Sequence, residues 1–254
     1  MADEHTVRSR GLTVSKFHYC AGCTHTTVHH ILADCLVSMG LLGDTIGVSS
    51  VGCSAFSHDY FSCDMQSASH GRAPAVATGI KRVFPDRIVF TYQGDGDLAA
   101  IGLGEVVSAA ARGEHITVIY VNNAVYGMTG GLMAPTSLLG QKTTTCSSGR
   151  SFEQSGGPIG ICEMLSTLSG TGFAARVHAA DSSGCSMARD AIRRAFEVQQ
   201  NRGGFSIVEV LAACPTNWGM KISDAFRFVR EDMVRVFPLG VFKDSRGEVG
   251  GPDV

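Results

Sequence analysis

The amino-acid sequence predicts an α/β fold, a parallel sheet flanked by helices on both faces. Two short runs, residues 87–93 and 116–121, are rich in β-branched and aromatic side chains, as buried strands are. Uninterrupted apolar strands are typical of parallel sheets, because both faces of such sheets are covered. Segments with helical periodicity follow the predicted strands, which is the order of βαβ units.

The helices are predicted from apolar residues spaced three and four apart. In the first helix, one apolar stripe runs from Val28 through Cys35 to Met39. Pro85 marks the end of the second helix and Gly113 the end of the third, because proline interrupts helices and glycine favours the position after one. The predicted helices are 24–40, 70–83, 98–112, 158–170, 184–201 and 223–236.

The strands and the long irregular segment complete the expected order of elements. The predicted strands are 45–51, 87–93, 116–121, 173–179 and 205–211. Residues 124–157 are rich in Gly, Thr and Ser and lack periodicity, and long loops in compact domains are usually functional. We therefore expect one domain over residues 17–242, with an N-terminal arm at 1–16 and a polar tail at 243–254.

The composition limits the classes of partner. The chain has 254 residues, a net charge of −2 and 17% charged residues, below the ~25% usual for soluble domains. It has no basic excess to attract nucleic acid or anionic lipid, and no apolar run of the ~18 residues that span a bilayer. Its first residues lack the basic and apolar regions of a secretory signal peptide. We expect a cytoplasmic protein with partner-covered surface, in which nine cysteines serve another purpose than disulfides.

Polar motifs follow two neighbouring predicted strands. Gly94-Asp95-Gly96-Asp97 comes directly after strand 87–93, and Asn122-Asn123 follows strand 116–121. The carboxyl ends of parallel strands are where open α/β sheets bind ligands. A carboxylate and an amide oxygen there suit Mg²⁺ with a phosphate group. The alternative is that residues 94–97 form a simple turn. The pairing of the two motifs favours the metal site over this alternative. Asp97 itself fits a helix N-cap better than a metal ligand.

Cys20 and Cys23 form a C-x2-C pair with three possible functions. Such a pair can be a redox dithiol, half of a zinc site or part of an iron–sulfur site. Cys53 and Cys214 each follow a predicted strand, and Pro215 comes after Cys214, a step also found in ferredoxin cluster motifs. Cys35 lies on the apolar stripe and is expected in the core. The other four cysteines have no paired spacing and are expected to be structural or surface thiols.

These motifs resemble those of a known family. The GDG motif followed by Asn122-Asn123 resembles the thiamine diphosphate (TPP) fingerprint. The run from Tyr126 to Gly131, with the motifs around the four cysteines and His70-Gly71-Arg72-Ala73, resembles the 2-oxoacid:ferredoxin oxidoreductases over roughly residues 17–242. Two departures are Ala21, where the family usually has proline, and Leu132, where glutamine is usual; the second concerns the substrate end of the pocket.

The resemblance implies a TPP-binding fold with Mg²⁺ and one [4Fe-4S] cluster. The magnesium ligands would be the side chains of Asp95 and Asn123 and the carbonyl of Val125. The cluster ligands would be Cys20, Cys23, Cys53 and Cys214. His70 and Arg72 would meet a substrate carboxylate or a coenzyme A phosphate, or else begin a helix and pair with surface charge. The residues expected to contact TPP are Ser54, Gly94, Asp95, Gly96, Asp97, Asn123, Val125, Tyr126, Gly127, Met128 and Thr129.

The resemblance also implies a function shared among subunits. The chain would be the β, TPP-binding subunit that decarboxylates a 2-oxoacid with coenzyme A and passes electrons to ferredoxin, with 2-oxoglutarate or branched-chain substrates favoured over pyruvate. The glutamate that activates TPP would come from a pyrimidine-domain α subunit, so no catalytic residue is expected here. Further partners would be γ-type and ferredoxin-like subunits. The alternatives are a non-redox TPP decarboxylase half-subunit and a zinc-stabilised interaction module.

Overall fold

A computed structural model describes residues 8–245. Its main sheet has seven strands in the order β2-β1-β3-β4-β8-β7-β9. All neighbours in this sheet are parallel except β7 and β9, which confirms the predicted fold class. A separate antiparallel pair joins β5 and β6. The strands are β1 Thr45–Ser49, β2 Asp64–Ser67, β3 Ile88–Gly94, β4 Thr117–Asn122, β5 Val125–Tyr126, β6 Leu132–Met133, β7 Thr171–His178, β8 Phe205–Leu211 and β9 Gly240–Asp244.

Helices cover both faces of the sheet. The described helices are α1 His25–Ser38, α2 Ala73–Val83, α3 Leu103–Ala111, α4 Phe152–Ser155, α5 Ile161–Ser166, α6 Ser182–Gln200, α7 Pro215–Trp218, α8 Ile222–Phe228 and α9 Val234–Val236. On one face, α1 and α6 pack with Phe90 of β3 in one buried apolar cluster. On the other, α2, α3 and α5 pack with Val118 of β4 in a second. None of the helices among residues 8–245 is long and apolar enough to cross a membrane.

The structure differs from the predicted elements mainly at the edges and in the helices. The edge strands β2 and β9 are not predicted, because β2 has the polar sequence Asp-Met-Gln-Ser and both depend on a neighbouring strand. The predicted helix 98–112 begins with a π-helical turn at Asp97–Ile101. The predicted helix 223–236 is α8 and α9 joined by a second π-helical turn, Val229–Met233. The predicted helix 158–170 is only the six residues of α5.

The chain ends are described only in part. Residues 1–7 of the predicted arm and residues 246–254 of the predicted tail lie outside the described residues. Within the arm, Leu12 is buried and forms an antiparallel bridge to Phe61. Strand β9 extends into the predicted tail as far as Asp244. The predicted domain limits remain a prediction.

A buried polar network crosses the middle of the sheet. Arg176 of β7 and Glu209 of β8 are both fully buried. Arg176 Nε donates to Glu209 Oε2 at 2.8 Å, and Asn122 Nδ2 donates to Glu209 Oε1 at 2.8 Å. Asn122 Oδ1 in turn accepts from the Ala124 N–H at 3.1 Å. Each buried group thus has a partner, and the network ties three strands to the turn after β4.

Replacing Glu209 by leucine is expected to destabilise the fold, because Arg176 Nε and Asn122 Nδ2 would lose their buried acceptor while Arg176 kept only its pair with Glu163. The free energy of unfolding should fall by about 1–3 kcal/mol, measured by urea denaturation. Adding Arg176→Met should recover part of this loss, since two apolar side chains then replace the ion pair. Glu231→Leu, at an exposed position, is the matched control. A Glu209→Leu variant as stable as this control would contradict the role given to the network.

Candidate functional site

The polar motifs after β3 and β4 line one cavity, here called the Asp95 cavity, of about 110 Å³. It contains most of the residues expected to contact TPP, and it also contains His70. Ser54 and Arg72 do not line it. The lining residues are His25, Val51, Gly52, Cys53, His70, Gly94, Asp95, Gly96, Asp97, Asn123, Val125, Tyr126, Gly127, Met128 and Thr129.

Asp95 is a buried carboxylate with two hydrogen-bond donors. Thr136 Oγ1 donates to its Oδ2 at 2.5 Å, and the Gly96 N–H donates to its Oδ1 at 2.9 Å. Burial raises the pKa of Asp95 to about 7, although both hydrogen bonds act to lower it. A bound cation would reverse this penalty, since it favours the charged form. Thr136 was not predicted, because it lies 41 residues along the chain in the irregular segment.

The turn that carries Asn123 and Val125 is held from several sides. Asn123 Oδ1 accepts from the Val125 N–H at 3.3 Å, and Ala124 has a positive φ of 58°. Ser137 Oγ donates to the Ala124 carbonyl at 2.6 Å, and Trp218 Nε1 donates to the Asn123 carbonyl at 3.1 Å. These bonds hold the left-handed residue between the two predicted magnesium ligands.

The Tyr126 ring leaves room only for glycine at position 96, the second glycine of the GDG motif. A Cβ on Gly96 would lie 2.2 Å from the Tyr126 ring, far inside van der Waals contact. The ring therefore packs directly on the Gly96 backbone. A side chain at residue 96 would force the ring of Tyr126 away from the cavity wall.

The structure corrects the N-cap interpretation of Asp97. The residue is the first of a π-helical turn whose N-cap is Gly96. The buried Asp97 carboxylate accepts from Ser50 Oγ at 2.8 Å, the Gly71 N–H at 2.6 Å and Gln93 Nε2 at 2.5 Å. It also bonds His70 Nδ1. Asp97 therefore orients groups around the cavity, and this role could not be deduced from its position in the chain.

Two further predicted contacts lie outside the cavity wall. Arg72 forms an ion pair with Glu105 of α3, as the surface-pairing alternative for that residue predicts. Ser54 is buried, and its Oγ donates to the Ser50 carbonyl at 3.1 Å. In the described structure, both side chains have partners in the fold.

Four cysteines surround a second cavity, here called the cysteine cavity, of about 210 Å³. They are Cys20, Cys23, Cys53 and Cys214, the four that the resemblance singled out. All nine cysteines are free thiols, and Cys35 is fully buried in the core, as predicted. The other residues lining this cavity are His18, Tyr19, Asn123, Gly127, Met128, Pro215, Thr216 and Asn217.

Burial favours the neutral thiol form of three of these cysteines, Cys23, Cys53 and Cys214. Burial raises the pKa of Cys23 to about 12 and that of Cys53 to about 11, and the neighbouring cysteines add to both shifts. Burial also raises the pKa of Cys214. Thiolate is the ligand form, and a metal that displaces the protons would supply the missing positive charge. Within residues 8–245, no group of three or more His, Cys, Asp or Glu side chains converges on a point where one metal ion would sit.

The two cavities are contiguous. Cys53, Asn123, Gly127 and Met128 line both of them. A Cβ on Gly127 would lie 3.2 Å from Cys53 Sγ, so this cysteine touches the turn that follows β4. The strand ends and the cysteine motifs therefore build one compound site.

His25 is a part of the site that sequence reasoning missed. Its ring lines the Asp95 cavity and stacks on Tyr19 of the cysteine cavity, with centroids 4.9 Å apart. His25 Nδ1 and the Tyr92 hydroxyl share a hydrogen bond of 2.8 Å. Burial lowers the pKa of His25 to about 3, so the ring is neutral. The sequence did not indicate His25 as a site residue. The periodicity of α1 shows which side of the helix is apolar, but not which segment of the fold each residue contacts.

Comparison with known proteins gives consistent matches. Residues 49–210 match the family described as thiamine pyrophosphate enzyme, C-terminal TPP binding domain. The chain is 45% identical over 241 residues to ketoisovalerate oxidoreductase subunit VorA of Methanothermobacter thermautotrophicus, covering 95% of this chain and 50% of that relative. It is 34% identical over 224 residues to 2-oxoglutarate synthase subunit KorB of Methanocaldococcus jannaschii, covering 86% and 78%. The chain thus spans about half the length of VorA and most of KorB.

One solved structure supports the fold. The 2-oxoglutarate:ferredoxin oxidoreductase from Magnetococcus marinus, with 2-oxoglutarate, coenzyme A and succinyl-CoA bound, matches with a TM-score of 0.73. The match covers 95% of this chain and 86% of that chain at 21% identity.

Asp95→Asn is expected to stabilise the metal-free protein at high pH. Between the usual pKa of 3.8 and the raised value of about 7, the unfolded chain loses the proton while the folded chain keeps it. Ionisation therefore destabilises the fold as pH rises through this window, and the full penalty is present above pH 7. Asparagine does not ionise.

The test is thermal unfolding in the presence of a chelator at pH 5 and pH 8. The stability advantage of Asp95→Asn over the unsubstituted protein should widen from pH 5 to pH 8. Asp64→Asn, at an exposed position, should show no such widening. An equal advantage at both pH values would contradict the buried, proton-holding state of Asp95.

Proposed function

Since the chain belongs to the 2-oxoacid:ferredoxin oxidoreductase family as a subunit with the TPP-binding domain, we propose that it holds TPP, Mg²⁺ and one [4Fe-4S] cluster. In this function a 2-oxoacid is oxidatively decarboxylated with coenzyme A, and its electrons pass through the cluster to ferredoxin. When bound, TPP would supply the carbanion chemistry for release of CO₂, and the cluster would supply one-electron acceptance.

The observation that carries the proposal is the shared wall of the two cavities. Cys53, Asn123, Gly127 and Met128 line both. A non-redox TPP decarboxylase needs only the Asp95 cavity, and a zinc-stabilised module needs only the cysteines. An electron-transfer enzyme needs both sites side by side, because electrons must leave the TPP site for the cluster.

The Asp95 cavity fits a magnesium diphosphate. Asp95, the Asn123 amide oxygen and the Val125 carbonyl are oxygen donors of the kind that Mg²⁺ takes. The cation would remove the cost of ionising the buried Asp95 carboxylate. The Gly94 and Gly96 backbone would approach the diphosphate, and the segment from Tyr126 to Thr129 would lie beside the rest of the cofactor.

The cysteine cavity fits a cluster better than a single ion. The four thiols border a space of about 210 Å³, whereas a zinc site draws its ligands to one point. A cubane takes one thiolate at each of four iron atoms, so its ligands surround a volume. Cys20, Cys23, Cys53 and Cys214 are the proposed ligands.

His70 is the proposed substrate contact on this chain. It lines the Asp95 cavity, and its Nδ1 is bonded to the buried Asp97 carboxylate. That bond fixes the orientation of the ring, as a residue positioning a substrate carboxylate requires. Arg72 is held by Glu105 outside the cavity wall, so we assign it no such contact.

The remaining parts of the reaction belong to partners. We propose that a pyrimidine-domain α subunit supplies the activating glutamate, and that γ-type and ferredoxin-like subunits complete a cytoplasmic complex that donates to ferredoxin. A branched-chain 2-oxoacid is the proposed substrate, followed by 2-oxoglutarate. The higher identity to the ketoisovalerate oxidoreductase subunit than to the 2-oxoglutarate synthase subunit supports this order.

Cys214→Ala separates the proposed function from its alternatives. In the anaerobically purified complex, the variant should lose cluster iron and ferredoxin reduction but retain bound TPP, because Cys214 lines only the cysteine cavity. Cys185→Ala, which removes a thiol outside both cavities, should keep all three properties. Iron and sulfide, TPP content and ferredoxin reduction are measured on each sample.

Two outcomes would contradict the proposal. Undiminished ferredoxin reduction in Cys214→Ala would remove the cluster from the electron path. One zinc per copy of this chain, together with iron and sulfide contents of the complex that Cys214→Ala does not reduce, would favour the zinc-stabilised module instead.

A further inference from the structure

Asn217 lies where the cysteine cavity meets the turn after β4. It is the third residue of α7, the short helix that begins directly after Cys214. Its Nδ2 donates to Cys214 Sγ at 3.2 Å and to the Gly127 carbonyl at 2.9 Å. A side-chain amide has two N–H groups, so one nitrogen can serve both acceptors. Asn217 thereby joins a proposed cluster ligand to a residue of the proposed TPP site.

The neighbouring residue, Trp218, also bonds to the turn after β4. Trp218 Nε1 donates to the Asn123 carbonyl at 3.1 Å. The two side chains of α7 thus hold carbonyls four residues apart, at 123 and 127. The fit is tight, because a Cβ on Gly131 would lie 3.1 Å from Asn217 Cβ. A displaced Asn217 would therefore disturb both the sulfur and the turn.

We propose that Asn217 is a positioning residue that fixes the Cys214 sulfur relative to the turn at Gly127 and raises the reduction potential of the cluster. Reduction adds one electron, and so one negative charge, to the cluster. A hydrogen bond from an amide to a ligating sulfur stabilises the more negative state, and such bonds are among the factors that set cluster potentials. The inference rests on the proposed function, since it requires a cluster at Cys214.

Removing the two hydrogen bonds of Asn217 is expected to change the cluster potential and the affinity for TPP. Without the N–H to sulfur, the midpoint potential of the cluster becomes more negative. Without the bond to Gly127, the carbonyl loses its donor and the turn its support, so the dissociation constant of TPP rises about tenfold. A residue that only filled space would change neither property when replaced by one of similar size.

The test uses Asn217→Leu, which keeps most of the volume, and Asn217→Ala, which shortens the side chain without adding a charge; both remove the donors. Asn201→Leu, at an exposed position after α6, is the matched control. Each complex is purified anaerobically with its partner subunits. The readouts are iron and sulfide content, the midpoint potential from an EPR-monitored redox titration, and the TPP dissociation constant.

The proposal expects a full cluster in at least one Asn217 variant, with a more negative potential and weaker TPP binding than in the Asn201→Leu control. An unchanged potential in every variant that keeps its cluster would overturn it. Loss of the cluster from both Asn217 variants would also overturn it, because Asn217 would then be needed for assembly rather than tuning. Iron and sulfide contents of the complex that Cys214→Ala does not reduce would instead refute the proposed function itself.

Discussion

The turn after β4, residues 122–127, supports both proposed cofactor sites and is held in place by buried hydrogen-bond donors. Asn122 links it to the Glu209–Arg176 pair in the sheet, Ser137 bonds the Ala124 carbonyl, and α7 bonds it from the side of the cysteines. Ala124 adopts a positive φ there, which costs free energy for a residue with a Cβ. The surrounding bonds compensate for this cost and make one rigid element common to both cavities.

Burial has the same electrostatic consequence in both cavities. It raises the pKa of the Asp95 carboxylate and of the Cys23, Cys53 and Cys214 thiols, so the metal-free protein carries groups that resist ionisation. Metal ions reverse this preference, which links cofactor binding to pH and to folding.

The sequence was sufficient for the features that depend on local pattern. Apolar runs predicted the central strands, and parallel strands bring their carboxyl ends to one edge, so Asp95 and Asn123 could be expected together. The four cysteines could be selected only through the family resemblance, since spacing alone left three alternatives. The roles of Thr136 and His25 in the site depend on contacts between segments that are distant in the sequence. The same is true of the four groups bonded to the Asp97 carboxylate. Strands β2 and β9 were missed because edge strands form through a neighbour rather than through their own composition.

We propose that the TPP site and the cluster are adjacent and exchange electrons. The most direct measurement is the visible absorption of the anaerobically purified complex before and after addition of a branched-chain 2-oxoacid and coenzyme A, without an external acceptor. We expect a broad brown absorbance, from about four iron and four sulfide per cluster, that bleaches when substrate is added. A complex with no such absorbance, or one whose absorbance is unchanged while CO₂ is released, would contradict the account.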